Sequence, residues 1–257
     1  MRDDSRRYAQ LGWTYEKFNP LQKEAMAWHR QMARTYGGPI LELACGSGRL
    51  CTGLAMAGFM VDAIDQSSAM LARAQMRIGA HTDDTRNRIK IFRADICSFA
   101  LNSTYKLIIL ADNSLAELPE SDRGRCLQCA RVHLNPAGRL LLTARVYEAD
   151  DLADGQLITP WSEPVTHPIT GVTVRRKTEL HLSDDGTRLE GEMTYEITKP
   201  DETVEFETVP VKLARYTRKD YESLFAANGW HVDSGDSPVT RDGVNDSSVV
   251  RFVCGGE

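Results

Sequence analysis

The sequence predicts an α/β fold, a seven-stranded and mostly parallel sheet with helices on both faces, into which an antiparallel β-meander is inserted. Three observations predict it. Short, wholly apolar runs alternate with helix-period stretches as far as Val146, the pattern of parallel strands buried on both faces. Those runs close on glycine-rich or acidic turns. From Tyr147 to Tyr216 the character changes, and apolar and polar residues alternate within Val172 to Leu182, Arg188 to Lys199 and Thr203 to Tyr216, as in a sheet with one solvated face.

The first strand, Ile40 to Leu43, follows the breaker Gly37-Gly38-Pro39 and ends in ILELACGSGRL. Gly46, Ser47 and Gly48 make a tight turn, and Leu50, Leu54 and Ala57 then fall at helical spacing up to a stop at Gly58. Such a turn lets a ligand approach bare backbone, with amide N–H groups at the helix start aimed at it. The second strand, Met60 to Asp65, leads into a helix from Ser67 with Met70, Ala74 and Ile78 on one face. Ile89 to Ala94 is the third strand, followed by Asp95-Ile96. Lys106 to Asp112 is the fourth, closing on Asp112-Asn113-Ser114. A helix from Ser121 to Leu134, a link Asn135-Pro136-Ala137-Gly138 and a fifth strand from Arg139 to Val146 follow. Thr217 with Asp220 forms a capping box ahead of Tyr221, Leu224 and Phe225, and Trp230 to Asp233 and Ser247 to Val253 supply the last two strands. The meander runs through Val172 to Leu182, Arg188 to Lys199 and Thr203 to Tyr216. Ahead of the first strand, residues 5 to 36 read as two helices, the first unusually aromatic (Tyr8, Trp13, Tyr15, Phe18) and the second carrying Leu21, Ala25, Trp28 and Met32 in a stripe.

Ligands in open α/β sheets bind outside the carboxyl ends of the strands, so Ala44 to Gly48, Asp65, Asp95 and Ala111 to Asn113 share one rim. A carboxylate at the end of a second strand suits the two hydroxyls of a ribose, which singles out Asp65. A dinucleotide fingerprint would place a third glycine where Cys51 stands; Gly53 comes two places too late. Glu42-x-Ala44-x-Gly46-x-Gly48 resembles motif I of class I S-adenosylmethionine-dependent methyltransferases, and Asp65-Gln66-Ser67-Ser68-Ala69-Met70-Leu71 resembles the family's entry into its second helix.

The resemblance implies a Rossmann-like core that binds S-adenosyl-L-methionine and releases S-adenosyl-L-homocysteine. It implies that Ala44, Gly46, Ser47 and Gly48 pack on the methionine part, with Glu42 organising the loop and the amino group. Gln66 and Met70 would line ribose and adenine, although Met70 serves equally well as plain core. Asp95 would meet the adenine amino group and Ile96 would offer its backbone N–H, while Ala111 and Asn113 complete the rim. A tyrosine of the N-terminal segment commonly contacts the methionine end, which makes Tyr15 and Tyr8 candidates; both are equally read as aromatics stapling the segment down.

For the acceptor, DNSL at the fourth strand lacks the Pro-Pro signature of methyltransferases that act on base nitrogens or protein glutamine. The run Asn113 to Leu118 looks instead like sugar-amine N-methyltransferases and relatives of glycine N-methyltransferase, some of which carry His where Glu117 stands. Glu117 and His29 are the candidate bases for an acceptor that must lose a proton, whether N or O. Trp161, His167, Arg175, Tyr195 and Tyr216 are candidate acceptor contacts in or beside the meander, which is also open to a homodimer contact. The implied organisation is a helical cap over 1–38, a cofactor-binding core over 39–146, an antiparallel lid over 147–216 and the rest of the core over 217–257.

Composition narrows the partners. A net charge of −5 with no basic block disfavours nucleic acid. No apolar run approaches a membrane span, and MRDDSRRYAQ lacks the apolar core of a signal peptide. Six cysteines within helices and strands fit a reduced, cytoplasmic protein. No metal site is expected: Cys126 and Cys129 have no second pair, and Asp112 with Asp150 or Asp151 is too loose a carboxylate cluster for metal-assisted catechol methylation. An RNA or protein methyltransferase and a cofactor-binding protein that does not methylate are the alternatives.

Overall fold

The computed structural model describes residues 12–147, 152, 155–236, 239–241, 244–246 and 249–256. Tyr8, Asp150, Asp151 and Ser247 lie outside the described residues. The chain divides into two compact units, Leu21–Val146 with Tyr216–Glu257, and Met1–Pro20 with Tyr147–Arg215.

The larger unit is built on seven strands, β1 (Ile40–Leu43), β2 (Val61–Asp65), β3 (Ile89–Arg93), β4 (Tyr105–Leu110), β5 (Leu134–Arg145), β11 (Trp230–Asp236) and β14 (Val249–Gly256). They lie in the order β11-β14-β5-β4-β1-β2-β3. All neighbours from β5 to β3 pair in parallel, and β14 runs antiparallel to both β5 and β11. The order reverses at β1, between β2 on one side and β4 on the other, which puts a crevice beside the glycine turn.

Apolar runs form these strands because both faces are covered. Leu41, Leu43, Ile108 and Leu110 enter one core with Leu127, Phe225, Trp230 and Phe252, whereas Ile40, Leu107 and Ile109 enter another with Ala33, Leu50 and Leu54. Successive residues of one strand thus serve opposite layers. The covering helices are α2 (Lys23–Tyr36), α3 (Arg49–Met56), α4 (Ser68–Gly79), α5 (Asp83–Asn87), α6 (Ser114–Glu117), α7 (Glu120–Val132) and α8 (Arg218–Ala227). Ser67 caps α4 by accepting from the Met70 N–H, and Thr217 and Asp220 close the capping box of α8.

Several boundaries differ from the sequence reading. Asn135 to Gly138, expected as a link, lies inside β5, where the register to β4 slips between Tyr105 and Leu107. A Cβ on Gly138 would stand 2.9 Å from the Tyr105 carbonyl oxygen, so the crowded bulge needs a glycine there. A two-stranded ribbon, β12 (Val239–Arg241) with β13 (Val244–Asp246), was not anticipated.

The expected cap over 1–38 divides. Trp28 and Met32 of α2 pack on the Ile40 core of the large unit, whereas Trp13 and Phe18 of α1 (residues 12–18) pack on Val174 and Tyr195. That second group belongs to the smaller unit, an antiparallel sheet ordered β10 (Val204–Ala214), β9 (Arg188–Thr198), β8 (Thr173–Leu182) and β6 (Gln156–Thr159), with β7 (Val165–Thr166) paired to β8. β6 escaped the sequence reading because it is short and ends at Pro160. Arg176 ties α1 to the sheet through the Phe18 carbonyl and Asn19 Oδ1, both at 3.1 Å, with its guanidinium over the Phe18 ring.

His133 is the helix-end residue expected, at the C-cap of α7. Its Nε2 accepts from the Leu101 N–H at 3.0 Å and its Nδ1 lies 2.8 Å from the Cys129 carbonyl, so the proton sits on Nδ1. Cys126 is buried in α7, and the Cys129 thiol points at the Phe99 carbonyl. Among the described residues no His, Cys, Asp or Glu cluster has metal-holding geometry, and no helix is long and apolar enough to cross a membrane.

Phe225 is fully buried against Tyr221 and Phe252. Phe225→Ala should cost about 3–5 kcal/mol of stability, read as a lower urea midpoint.

Candidate functional site at the carboxyl ends of the strands

The rim is assembled around the turn that follows β1. Ala44, Gly46 and Gly48 have φ of 55°, 54° and 74°, alternating left-handed positions that curl the backbone before α3 begins. A Cβ on Gly48 would stand 2.9 Å from the Cβ of Ala74 in α4, and one on Gly46 would stand 3.3 Å from Met70 Cε. Backbone is therefore pressed onto α4 where side chains would hold it off.

Asp65 fastens this turn. One carboxylate oxygen accepts the Gly46 N–H and the other the Ser67 N–H, each at 2.8 Å, so β2 clamps the loop after β1 and the start of α4 together. Arg77 of α4 adds a bond from Nε to the Ser47 carbonyl at 3.1 Å.

Beneath the turn lies Glu42, with only 4% of its surface exposed. Burial pushes its carboxyl up to about 8; the Cys51 N–H pulls down, the nearby Asp112 and Asp65 push up, and Arg49 pulls down. Its Oε2, together with Ser47 Oγ and Thr52 Oγ1, is buried without a hydrogen-bond partner. Three orphaned polar atoms thus lie in β1, in the turn after it and in the helix that the turn opens, an unmet demand that a polar ligand or ordered water would satisfy.

Across the crevice, Asp112 and Asn113 follow β4 with φ of 56° and 65°. Thr143 holds them by accepting their N–H groups, through its hydroxyl for Asp112 and its carbonyl for Asn113. Asn113 Oδ1 accepts the Arg145 N–H at 3.0 Å and lies 3.5 Å from the Tyr221 hydroxyl. Its side-chain oxygen is occupied in holding the loop to β5 and α8, while the Ala111 and Asn113 carbonyls accept from Ser114 and Ala116 as α6 begins. Arg49 reaches Asp112 at 3.5 Å and links both sides of the crevice. Neither Arg49 nor Arg77 was singled out from sequence; an arginine opening α3 beside an acid closing β4 was the signal available for the first.

The remaining candidates fall as follows. Gln66 is exposed and its carbonyl accepts from Arg93 Nε. Met70 is buried under Gly46, so the core reading and the lining reading meet in one residue. Asp95 is exposed after β3, its Oδ1 accepting the Cys97 N–H at 2.8 Å, and Ile96 is buried in the core. Glu117 is exposed at the end of α6, on the rim segment that Asn113 begins. His29 is placed differently from a base open to an acceptor. It is buried in α2, bonds the Ala25 carbonyl through Nδ1 and makes no hydrogen bond to the rim; burial pushes it down to about 4, so it stays neutral.

Tyr15, Trp161, His167, Arg175 and Tyr195 belong to the smaller unit. Tyr15 is in α1 and its carbonyl accepts from the Asn19 side chain. Arg175 lies over Trp161 and binds Glu196 through two nitrogens, and the Tyr195 hydroxyl donates to Met193 Sδ. His167 Nδ1 accepts the N–H groups of Ile169 and Thr170, and its ring meets Trp13 edge-on; the two help line an open groove of about 360 Å³ with Val174, Ile197 and Glu205. Tyr216 is in the larger unit, where its hydroxyl takes a bond from the buried Arg123 at 2.8 Å.

A seven-stranded sheet of this order, with a glycine turn after its first strand and an acid after its second, defines the class I methyltransferase fold. Residues 40–138 match the family model described as a methyltransferase domain. The search of curated proteins gave no match. Among solved structures, the CcbJ methyltransferase from Streptomyces caelestis is 18% identical, with 99% of each chain covered and a TM-score of 0.75. CalS10, an amino pentose methyltransferase from Micromonospora echinaspora solved with S-adenosylmethionine bound, is 18% identical over 96% of each chain, with a TM-score of 0.72. The glycopeptide N-methyltransferase MtfA is 24% identical over 90% of each chain, with a TM-score of 0.65.

Gly48→Ala should destabilise the protein by about 1–3 kcal/mol, through its left-handed φ and the collision with Ala74, read by thermal or chemical denaturation. Gly58→Ala, with φ of 96° but nothing within 4 Å of a new Cβ, separates the two causes.

Proposed function

We propose that this chain is an S-adenosylmethionine-dependent methyltransferase that modifies N or O of a small-molecule acceptor. The observation that carries the reading is the turn after β1, clamped by Asp65 and underlain by the orphaned oxygen of Glu42. Neighbours whose names specify an amino pentose and a glycopeptide support a small-molecule acceptor over a polymer. Six free cysteines among the described residues fit a reducing, cytoplasmic compartment.

When bound, the cofactor supplies an activated sulfonium methyl, and the protein supplies orientation. The bare backbone from Ala44 to Gly48 would admit the methionine part, the Asp65 carboxylate would accept from the ribose hydroxyls, and Asp95 would meet the adenine amino group. Ala111 and Asn113 bound the crevice opposite. Glu117 is placed on a rim segment where an exposed carboxylate takes the proton that an acceptor amine or hydroxyl gives up.

Asp65→Ala should weaken S-adenosylhomocysteine binding by about 1–3 kcal/mol in calorimetric titration; unchanged affinity in a folded variant removes Asp65 from the site. NAD, titrated alongside, should give no heat. Glu117→Gln should lower turnover on an accepted amine or phenol by roughly 10²–10⁴-fold while leaving cofactor affinity intact. An equal loss of affinity and turnover would instead make Glu117 a structural residue.

A further inference from the structure

Glu42 is buried in the described structure beneath a loop expected to receive a zwitterion, and its surroundings decide the charge it carries. The Cys51 N–H serves the carboxyl, while Oε2 has no partner. The charged and titratable groups around it are Asp65 at the end of β2, Asp112 after β4, and Arg49 and the Cys51 thiol of α3. The Cys45 thiol of the loop is also near, and burial holds both thiols in their neutral form. Two carboxylates therefore face one guanidinium, which is already engaged with Asp112 at 3.5 Å. An ionised Glu42 would be a buried charge with half its lone pairs unsatisfied, a state that proteins avoid by keeping the proton.

Resting on the cofactor reading above, we propose that Glu42 is a protonated acid in the ligand-free protein and releases that proton to solvent when the α-ammonium of the cofactor arrives, leaving a carboxylate paired with the ammonium. The carboxyl O–H bond breaks, the proton passes to water or buffer, and the electron pair remains on the oxygen that meets the ammonium. Cofactor capture and proton release become one event, and Glu42 selects ligands that carry a cation at that position.

The test is calorimetric titration of the whole chain with S-adenosylhomocysteine between about pH 6 and 7.5, where the ligand's own α-ammonium stays charged, in two buffers of different ionisation enthalpy. The expected result is release of up to about one proton per ligand, with affinity rising by up to about tenfold per pH unit. Glu42→Gln should abolish both the proton release and the slope. A second reading needs no ligand. A carboxyl whose folded value lies above its unfolded one stabilises the fold at low pH and loses that contribution as pH rises from about 4.5 to about 8, so wild-type stability should fall across that window more than that of Glu42→Gln. Wild-type binding without proton exchange overturns the proposal, as does a Gln variant that keeps the slope. If the variant does not fold, the buffer dependence of the wild-type protein decides alone. Absence of any S-adenosylhomocysteine binding in folded protein would overturn the cofactor reading, and the inference with it; pH-independent binding would overturn only the inference.

Discussion

The carboxylate of Asp65 is the interaction on which the rim depends. Two backbone N–H groups converge on it, one from the turn after β1 and one from the start of α4. Both bonds are charge-assisted and therefore strong for their length. They are possible because β1 and β2 pair in register from Ile40 with Val61 to Leu43 with Ile64, and because the Cys45 N–H extends that pairing to the Ile64 carbonyl. A slip of one residue would carry Asp65 to the opposite face and leave the turn without an anchor. The apolar alternation that buries Ile40 and Leu41 in different cores thus also fixes the polar geometry at the strand ends.

The opposite wall of the crevice is held by long-range contacts. Asp112 and Asn113 occupy left-handed positions that few residues other than Asn, Asp and Gly accept, and Thr143 of β5 holds both N–H groups. Asn113 Oδ1 then gathers the Arg145 N–H and approaches the Tyr221 hydroxyl, while Tyr221 packs edge-on to Tyr216, whose hydroxyl is held by Arg123. A buried guanidinium with two acceptors, the Leu118 carbonyl and the Tyr216 hydroxyl, is satisfied by parts of the chain far apart in sequence. The strained turn after β4 is stable because β5, α7 and α8 jointly overdetermine it.

This division explains what could be read from the sequence. The order of strands and helices, the glycine turn, the acid after β2 and the capping box at Thr217 were legible because each follows from local periodicity or from a residue type that a backbone conformation demands. The bulge hiding Asn135 to Gly138 inside β5 was not, since Asn-Pro and Ala-Gly read locally as a turn while pairing with β4 prolongs the strand. Nor was the assignment of the two N-terminal helices to different units, because both carry apolar faces and only packing assigns Phe18 to Tyr195 and Trp28 to the Ile40 core. His29 looked available on a helix, yet tertiary burial makes it a neutral side chain bonded to its own helix. Asn113 was placed on the rim from sequence, but that its side-chain oxygen also holds the loop to β5 was not legible.

The same reasoning explains why the cofactor is easier to infer than the acceptor. Cofactor contacts are expected from backbone at strand ends, where glycine spacing and a single acid leave few geometries open. In the antiparallel sheet, alternation states that one face is covered without saying by what, and charged side chains there are already engaged, Arg175 with Glu196, Lys199 with Glu205, and Arg176 with the Phe18 carbonyl and Asn19 Oδ1. Pairs as exposed as Lys199 with Glu205 contribute at most about 1 kcal/mol, so an incoming ligand can displace them at little cost. Their arrangement in the ligand-free protein therefore carries little information about the acceptor. Glu42 differs in kind: it is buried with Oε2 lacking a partner, and an unmet demand of that kind constrains the chemistry of what binds.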